Sequence, residues 1–298
     1  MGASNLRPIL ACLLLLVLAA CANVGDSSGP AAVQRRAAQG LAEKAKGDDY
    51  RDGKNGVGLD YTQAIQWYWL AVEHGNTGAS NNLAALYLNG LGVPVDVPQA
   101  LKLYRLAASG GNSYAMVSLG DLSQKGVGGP KDDAEAARWY RRAMDTDDNT
   151  VAMNQLALAY ENGRGVPPDI DQAVRLYLRA ANSGNPVAMV NLGNLYVTGR
   201  GVPQSDAQAV AWYRKAAELG SAGGQRALGY MYLEGRGVPR NLSEASKWLK
   251  PVAQPQFTVP KEGTTAPVPY VRAGGRRPLR CCAAGRRWSW GRRRPAPA

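Results

Sequence analysis

The 298-residue sequence is poor in the residues that most chemistry requires. It has one histidine, His74, and one phenylalanine, Phe257. A single histidine excludes HExxH centres and any zinc site built on a histidine pair. No serine stands three residues before a lysine, so the SxxK acylation motif is absent. Cysteine is missing between residues 22 and 280, which leaves only Cys12, Cys21, Cys281 and Cys282. The body is therefore not a disulfide framework. No apolar run is long enough to cross a bilayer: Ile9 to Ala20 spans twelve residues where roughly 20 are needed.

A charge excess is also missing from most of the chain. The net charge of +12 is concentrated in residues 261–298, where Lys261 and nine arginines face only Glu262, a local balance of +9. The rest carries +3, so the overall basicity is no argument for nucleic-acid binding, and nucleic acid is not an expected partner.

What is present is a repeat. Ala64, Ala100, Ala136, Ala173, Ala209 and Ala245 are spaced 36, 36, 37, 36 and 36 residues apart. Large side chains follow three and four residues later, as in Trp67-Tyr68, Trp139-Tyr140, Leu176-Tyr177 and Trp212-Tyr213. A second alanine returns at the seventh position in Ala71, Ala107, Ala143, Ala180 and Ala216. These offsets draw one face of a helix, with the aromatics read as core. Four residues before each leading alanine stands Asp60, Asp96, Asp132, Asp169, Ser205 or Asn241, all N-cap residues. Gln or Glu follows each cap at the capping-box distance.

A second helix precedes each of these. Ala79, Leu83 and Tyr87 return as Ala152, Leu156, Tyr160 and as Ala188, Leu192, Tyr196. Its start is marked by Gly75-Asn76, Gly111-Asn112, Gly184-Asn185 and Gly220-Ser221. The pentapeptide GRGVP at 163–167, 199–203 and 235–239 lies where this helix ends. It lacks the strand and the glycine spacing of a dinucleotide loop and the Gly-Lys-Ser/Thr end of a P-loop, so it reads as a helix terminator. His74, beside Gly75, reads as a C-terminal cap.

The stretch AMVNLGNLYVTGRGVPQSDAQAVAWYRKAAELG (188–220) and its copies resemble the Sel-one-like repeat family, relatives of tetratricopeptide repeats. The resemblance implies an all-α fold: an α-solenoid of stacked antiparallel helix pairs that assembles other proteins without catalysis. It covers about five full helix pairs in residues 60–250. Residues 21–59 are expected to hold a linker and a degenerate first repeat helix. No cofactor is implied, and no metal. Some relatives with a disulfide in each repeat are linked to β-lactam binding, which does not carry over to a chain without those cysteines.

The two ends add expectations of their own. Leu18-Ala19-Ala20-Cys21 resembles a bacterial lipobox, which implies a signal peptide at 1–20 and a lipid on Cys21. An ordinary cleavage site at Ala20-Cys21-Ala22, with soluble secretion, is the alternative. Ala22 fits outer-membrane sorting, facing the periplasm. Residues 251–298 are rich in Pro and Arg and without period, so disorder is expected. Their Arg and Trp side chains could bind lipid headgroups or anionic glycan, or the segment could be an out-of-frame end.

Three further features are candidates. Arg164, Arg200 and Arg236 occupy one turn position in three successive repeats and would form a basic rim for an acidic partner or an anionic polysaccharide. The alternative is that this position merely prefers a soluble residue. Asp145, Asp147 and Asp148, in a turn without glycine, could hold a cation or simply face solvent. The function expected is a scaffold of the bacterial envelope, with other envelope proteins held in its concave groove. The alternative is a cell-wall or exopolysaccharide-binding protein using the arginine rim and tail.

Overall fold

The computed structural model describes residues 29–249. Among them are twelve helices and no strand, stacked pairwise as an α-solenoid. The first pair is α1 (Pro30–Asp52) and α2 (Tyr61–Glu73), followed by α3 (Thr77–Asn89) and α4 (Val97–Ser109). Then come α5 (Ser113–Lys125) with α6 (Asp133–Asp147), and α7 (Thr150–Asn162) with α8 (Ile170–Asn182). The last pairs are α9 (Pro186–Thr198) with α10 (Asp206–Glu218), and α11 (Ala222–Glu234) with α12 (Leu242–Leu249). The odd-numbered helices are called A helices below and the even-numbered ones B helices.

The caps form as expected, but the capping box is only half made. Asp60, Asp96, Asp132, Asp169, Ser205 and Asn241 each accept the amide three residues on, at 2.8–3.2 Å. The cap's own N–H does not turn to the Gln or Glu side chain. It donates instead to a backbone carbonyl near the end of the A helix: Tyr50, Tyr87, Ser123, Tyr160, Tyr196 or Tyr232. That bond ties the end of A to the start of B and closes the hairpin. It also frees the third residue, so that Glu135 accepts from Trp139 Nε1 instead.

A helices are entered through Asn76, Asn112, Asn185 and Ser221, each accepting a first-turn amide. The third copy has no glycine at this corner. Asp148 takes the left-handed conformation instead (φ 56°) and Asn149 becomes the cap of α7.

All six leading alanines are buried at 2% exposure or less, and the second alanines at 0%. The closeness they permit places five B-helix tyrosines in the interior: Tyr68, Tyr104, Tyr140, Tyr177 and Tyr213. Opposite three of these rings the A helix has no side chain at all. Gly47 faces Tyr68, Gly120 faces Tyr140 and Gly193 faces Tyr213; a Cβ on Gly120 would lie 2.5 Å from Tyr140 Cε1. Trp139, Trp212 and Trp248 pack against the core from its edge. Trp67, Trp139, Trp212 and Trp248 are half-buried, with Lys46, Arg142, Lys215 and Lys247 over their faces. An indole at the rim of a close helix contact keeps one face in reach of a neighbouring cation.

The N-terminal segment is more complete than its sequence suggested. α1 is a full 23-residue helix packed on α2, so six pairs stack rather than five and a remnant. Its buried residues are Gly40, Glu43 and Gly47, none of which matches the Ala-Leu-Tyr pattern of the other A helices.

Candidate interaction surfaces

The two helix layers expose different chemistry. α3 and α9 contain no charged residue, α7 contains only Glu161, and α5 only Asp121 and Lys125. Polar contact between these helices runs through side-chain amides. Gln155 Nε2 donates to Asp121 Oδ1 at 3.0 Å, and Asn191 Nδ2 donates to the buried Asn154 Oδ1 at 2.9 Å. Asn82 makes the corresponding bond to Asp48 at 3.0 Å. The A helices of neighbouring repeats also touch directly, α1 with α3 and α9 with α11. Tyr114 and Val187 stand exposed on this layer at equivalent positions.

Two of these acceptors, Asp48 and Asp121, also hold buried tyrosines, and Glu161 and Asn194 hold two more. Tyr68 donates to Asp48 and Tyr140 to Asp121 at 2.7 Å; Tyr177 donates to Glu161 at 2.9 Å, and Tyr213 to Asn194 at 2.6 Å. Burial, which penalises a phenolate, raises all five phenols above their ordinary value, to about 12 for Tyr104 and Tyr213. Their shift has a packing cause, and nothing in it points to proton transfer.

The three turn arginines lie where the repeat register puts them, and two are engaged within the chain. Arg200 Nη1 meets Glu161 Oε1 at 2.9 Å. Arg236 holds Asp206 through two bonds, 2.8 and 3.0 Å, which raises its pKa further. Arg164 and Asp133 occupy the corresponding positions two repeats earlier; Arg164 Nε and Asp133 Oδ1 are both buried without a hydrogen-bond partner. Arg200 and Arg236 bridge one repeat to the one before it, through carboxylates the sequence pattern did not single out.

His74 is the C-cap of α2, and its Nδ1 lies 2.6 Å from Oε2 of the buried Glu43 on α1. Of the aspartates in the third corner, Asp147 accepts from Ser113 at 2.8 Å and Asp148 pairs with Arg179. Among the described residues no group of three or more His, Cys, Asp or Glu side chains could hold a metal ion. Cys21 and the tail from 251 lie outside the described residues. So does most of Gly25-Asp26-Ser27-Ser28-Gly29, which spells the GxSxG of a nucleophile elbow. No helix among the described residues is long and apolar enough to cross a membrane.

The family follows from the register of these helix pairs. The Sel1 repeat matches six times, at residues 35–76, 78–112, 113–145, 150–185, 186–221 and 222–253. The chain is a Sel1 repeat protein. Its first repeat begins inside α1, in agreement with six helix pairs.

The crystal structure of a Sel1 repeat protein from Oxalobacter formigenes is 31% identical, with a TM-score of 0.65, over 75% of this chain and 87% of that one. A protective antigen present in uropathogenic Escherichia coli strains, displaying an SLR fold, is 34% identical with a TM-score of 0.61. The match covers 72% of this chain and 46% of the antigen. The immunity protein Pa5087 from Pseudomonas aeruginosa shares the fold at 21% identity and a TM-score of 0.50, over 70% of this chain and 75% of that one. No curated protein matches the sequence. Sel1 repeat proteins are generally protein-interaction scaffolds and typically non-enzymatic.

Proposed function

We propose that this Sel1 repeat protein is a non-enzymatic adaptor of the bacterial envelope. A lipid on Cys21 anchors it to the outer membrane, facing the periplasm, and its A-helix layer holds a protein partner in a concave groove. The observation that carries the reading is the near absence of charge from α3, α7 and α9, combined with exposed Tyr114 and Val187. A neutral surface of amides, aromatics and small apolar groups suits the core of a protein–protein interface, where charged residues are depleted.

The test has two independent parts. Cys21→Ser should move the protein from the membrane fraction to the soluble fraction and abolish acyl labelling; unchanged fractionation and labelling would remove the anchor from the account. Tyr114→Arg with Val187→Arg should abolish capture of a recurrent protein partner from cross-linked envelopes. Retained capture would remove the A-helix layer. Recovery of glycan alone, without protein, would favour the polysaccharide-binding alternative.

A further inference from the structure

The B-helix layer carries a charge pattern that neither the turn arginines nor the A-helix surface explains. Positions can be counted from the buried alanine that leads each B helix. Two residues on stand Lys102, Arg138 and Arg175. Five residues on stand Arg105, Arg141 and Arg214, and six residues on stand Arg142, Arg179 and Lys215. All nine are exposed. The other three of these twelve positions in α4, α6, α8 and α10 are Leu106, Leu178 and Ala211, so no acid interrupts the band.

Little of this charge is neutralised. Arg179 meets Asp148, and Arg138 is 3.9 Å from Asp132. Arg141 and Arg214 donate to the uncharged hydroxyls of Tyr160 and Tyr232 at 2.8 and 2.9 Å. Arg142 and Lys215 lie over Trp139 and Trp212. Acids appear only toward the helix ends: Asp133, Glu135, Asp171 and Asp206 at the starts, Asp145, Asp147 and Glu218 near the finishes.

We propose that this band is a second docking surface, for an extended acidic peptide segment of a protein partner. Four residues of helix span about 6 Å, the width of one extended chain. Four B helices with repeats on the order of 10 Å apart make a track of roughly 30 Å, matching about nine extended residues. The flanking acids favour something this narrow. A flat anionic bilayer would press on both acidic rows, whereas a single strand of acidic peptide lies between them. Single-stranded nucleic acid seeks open aromatic faces, and cations cover those of Trp139 and Trp212. Seven of the nine cations are arginines, whose planar fork fits a carboxylate in bidentate fashion. The chain's own segment 261–298, at +9, has the wrong sign to occupy the band.

Titration of a fluorescent decaglutamate peptide into the full chain tests the proposal. The comparison is the variant Arg138→Gln/Arg141→Gln/Arg175→Gln/Arg214→Gln, with phosphatidylglycerol vesicles and an oligothymidine strand in parallel titrations. Both proteins keep residues 261–298, so any binding there is common to the two. The expected result is a Kd at least about tenfold weaker in the variant, with a shallower salt dependence and an unchanged thermal transition. If the fourfold variant melts early, Arg105→Gln/Lys215→Gln should show the same direction in an intact fold. An unchanged Kd would overturn the proposal. So would vesicles or oligothymidine binding the unaltered chain more tightly than the peptide and losing that binding in the variant.

Discussion

Gly165 packs its α-carbon directly against the backbone carbonyl of Asp133, leaving no room for a Cβ. Gly165 belongs to the turn of the fourth repeat, and Asp133 begins the B helix of the third. Gly237 meets Asp206 in the same way, and Gly92 meets Tyr61. The second glycine of the turn is thus a contact between repeats, while the first closes its helix with a left-handed backbone (φ 64° at Gly163). Val166, directly after the second glycine, packs against the core.

That contact sets the first prediction. Gly165→Ala must place a Cβ against Asp133 at φ 69°, where an L-residue alone costs roughly 1–2 kcal/mol. The total loss in a urea titration should exceed about 2 kcal/mol. Gly58, with nothing within 4 Å and no positive φ, provides the comparison. Gly58→Ala should change stability by less than about 0.5 kcal/mol.

Ala173 is 0% exposed in the contact between helices. Ala173→Leu should cost about 1–3 kcal/mol by overpacking. Arg175→Ala, two residues away on the exposed face, should cost under about 0.5 kcal/mol. Equal losses would show that the faces of α8 are wrongly assigned.

Buried tyrosines make stability depend on alkaline pH. A phenol raised by burial stays protonated in the fold while the unfolded chain ionises near its ordinary value of 10.0. Stability is therefore fully present below about pH 10 and falls as pH rises toward about 12, the value for Tyr104 and Tyr213. Melting temperatures followed by circular dichroism should be level with respect to these phenols from pH 7 to 9 and drop steeply above 10. Tyr104→Phe should make the drop shallower.

Asn154 is 2% exposed and accepts from Asn191. Asn154→Ala should cost about 1–3 kcal/mol, because the Asn191 amide loses its partner in the helix contact. A double-mutant cycle with Asn191→Ala should give a coupling of about 0.5–1.5 kcal/mol. Additive losses would mean that the amide contact does not join the repeats.

Much of this fold was legible in the sequence because its determinants are local and periodic. The alanines, the caps and the turn glycines each recur at a fixed distance from their neighbours, and each landed where that distance put it. α1 was less legible, because Lys46 stands where the other A helices have leucine. Contacts between repeats were the least legible. Arg236 with Asp206, and Gln155 with Asp121, lie 30 and 34 residues apart, and the acceptor positions do not keep one residue type from repeat to repeat. The basic band was hidden for another reason: its residues were all visible, but lysine and arginine on exposed helix positions looked like ordinary solvated charge until the stack aligned them.

The account's central claim is that the charge-poor A helices α3, α7 and α9 hold a protein partner. Photo-crosslinking in intact cells tests it most directly, with a benzophenone amino acid placed at Val187 on α9 or, in a separate protein, at Ala211 on α10. The account predicts one recurrent protein adduct from position 187, undiminished when the B-helix arginines are replaced by glutamine. An adduct formed from position 211 and never from 187 would contradict it.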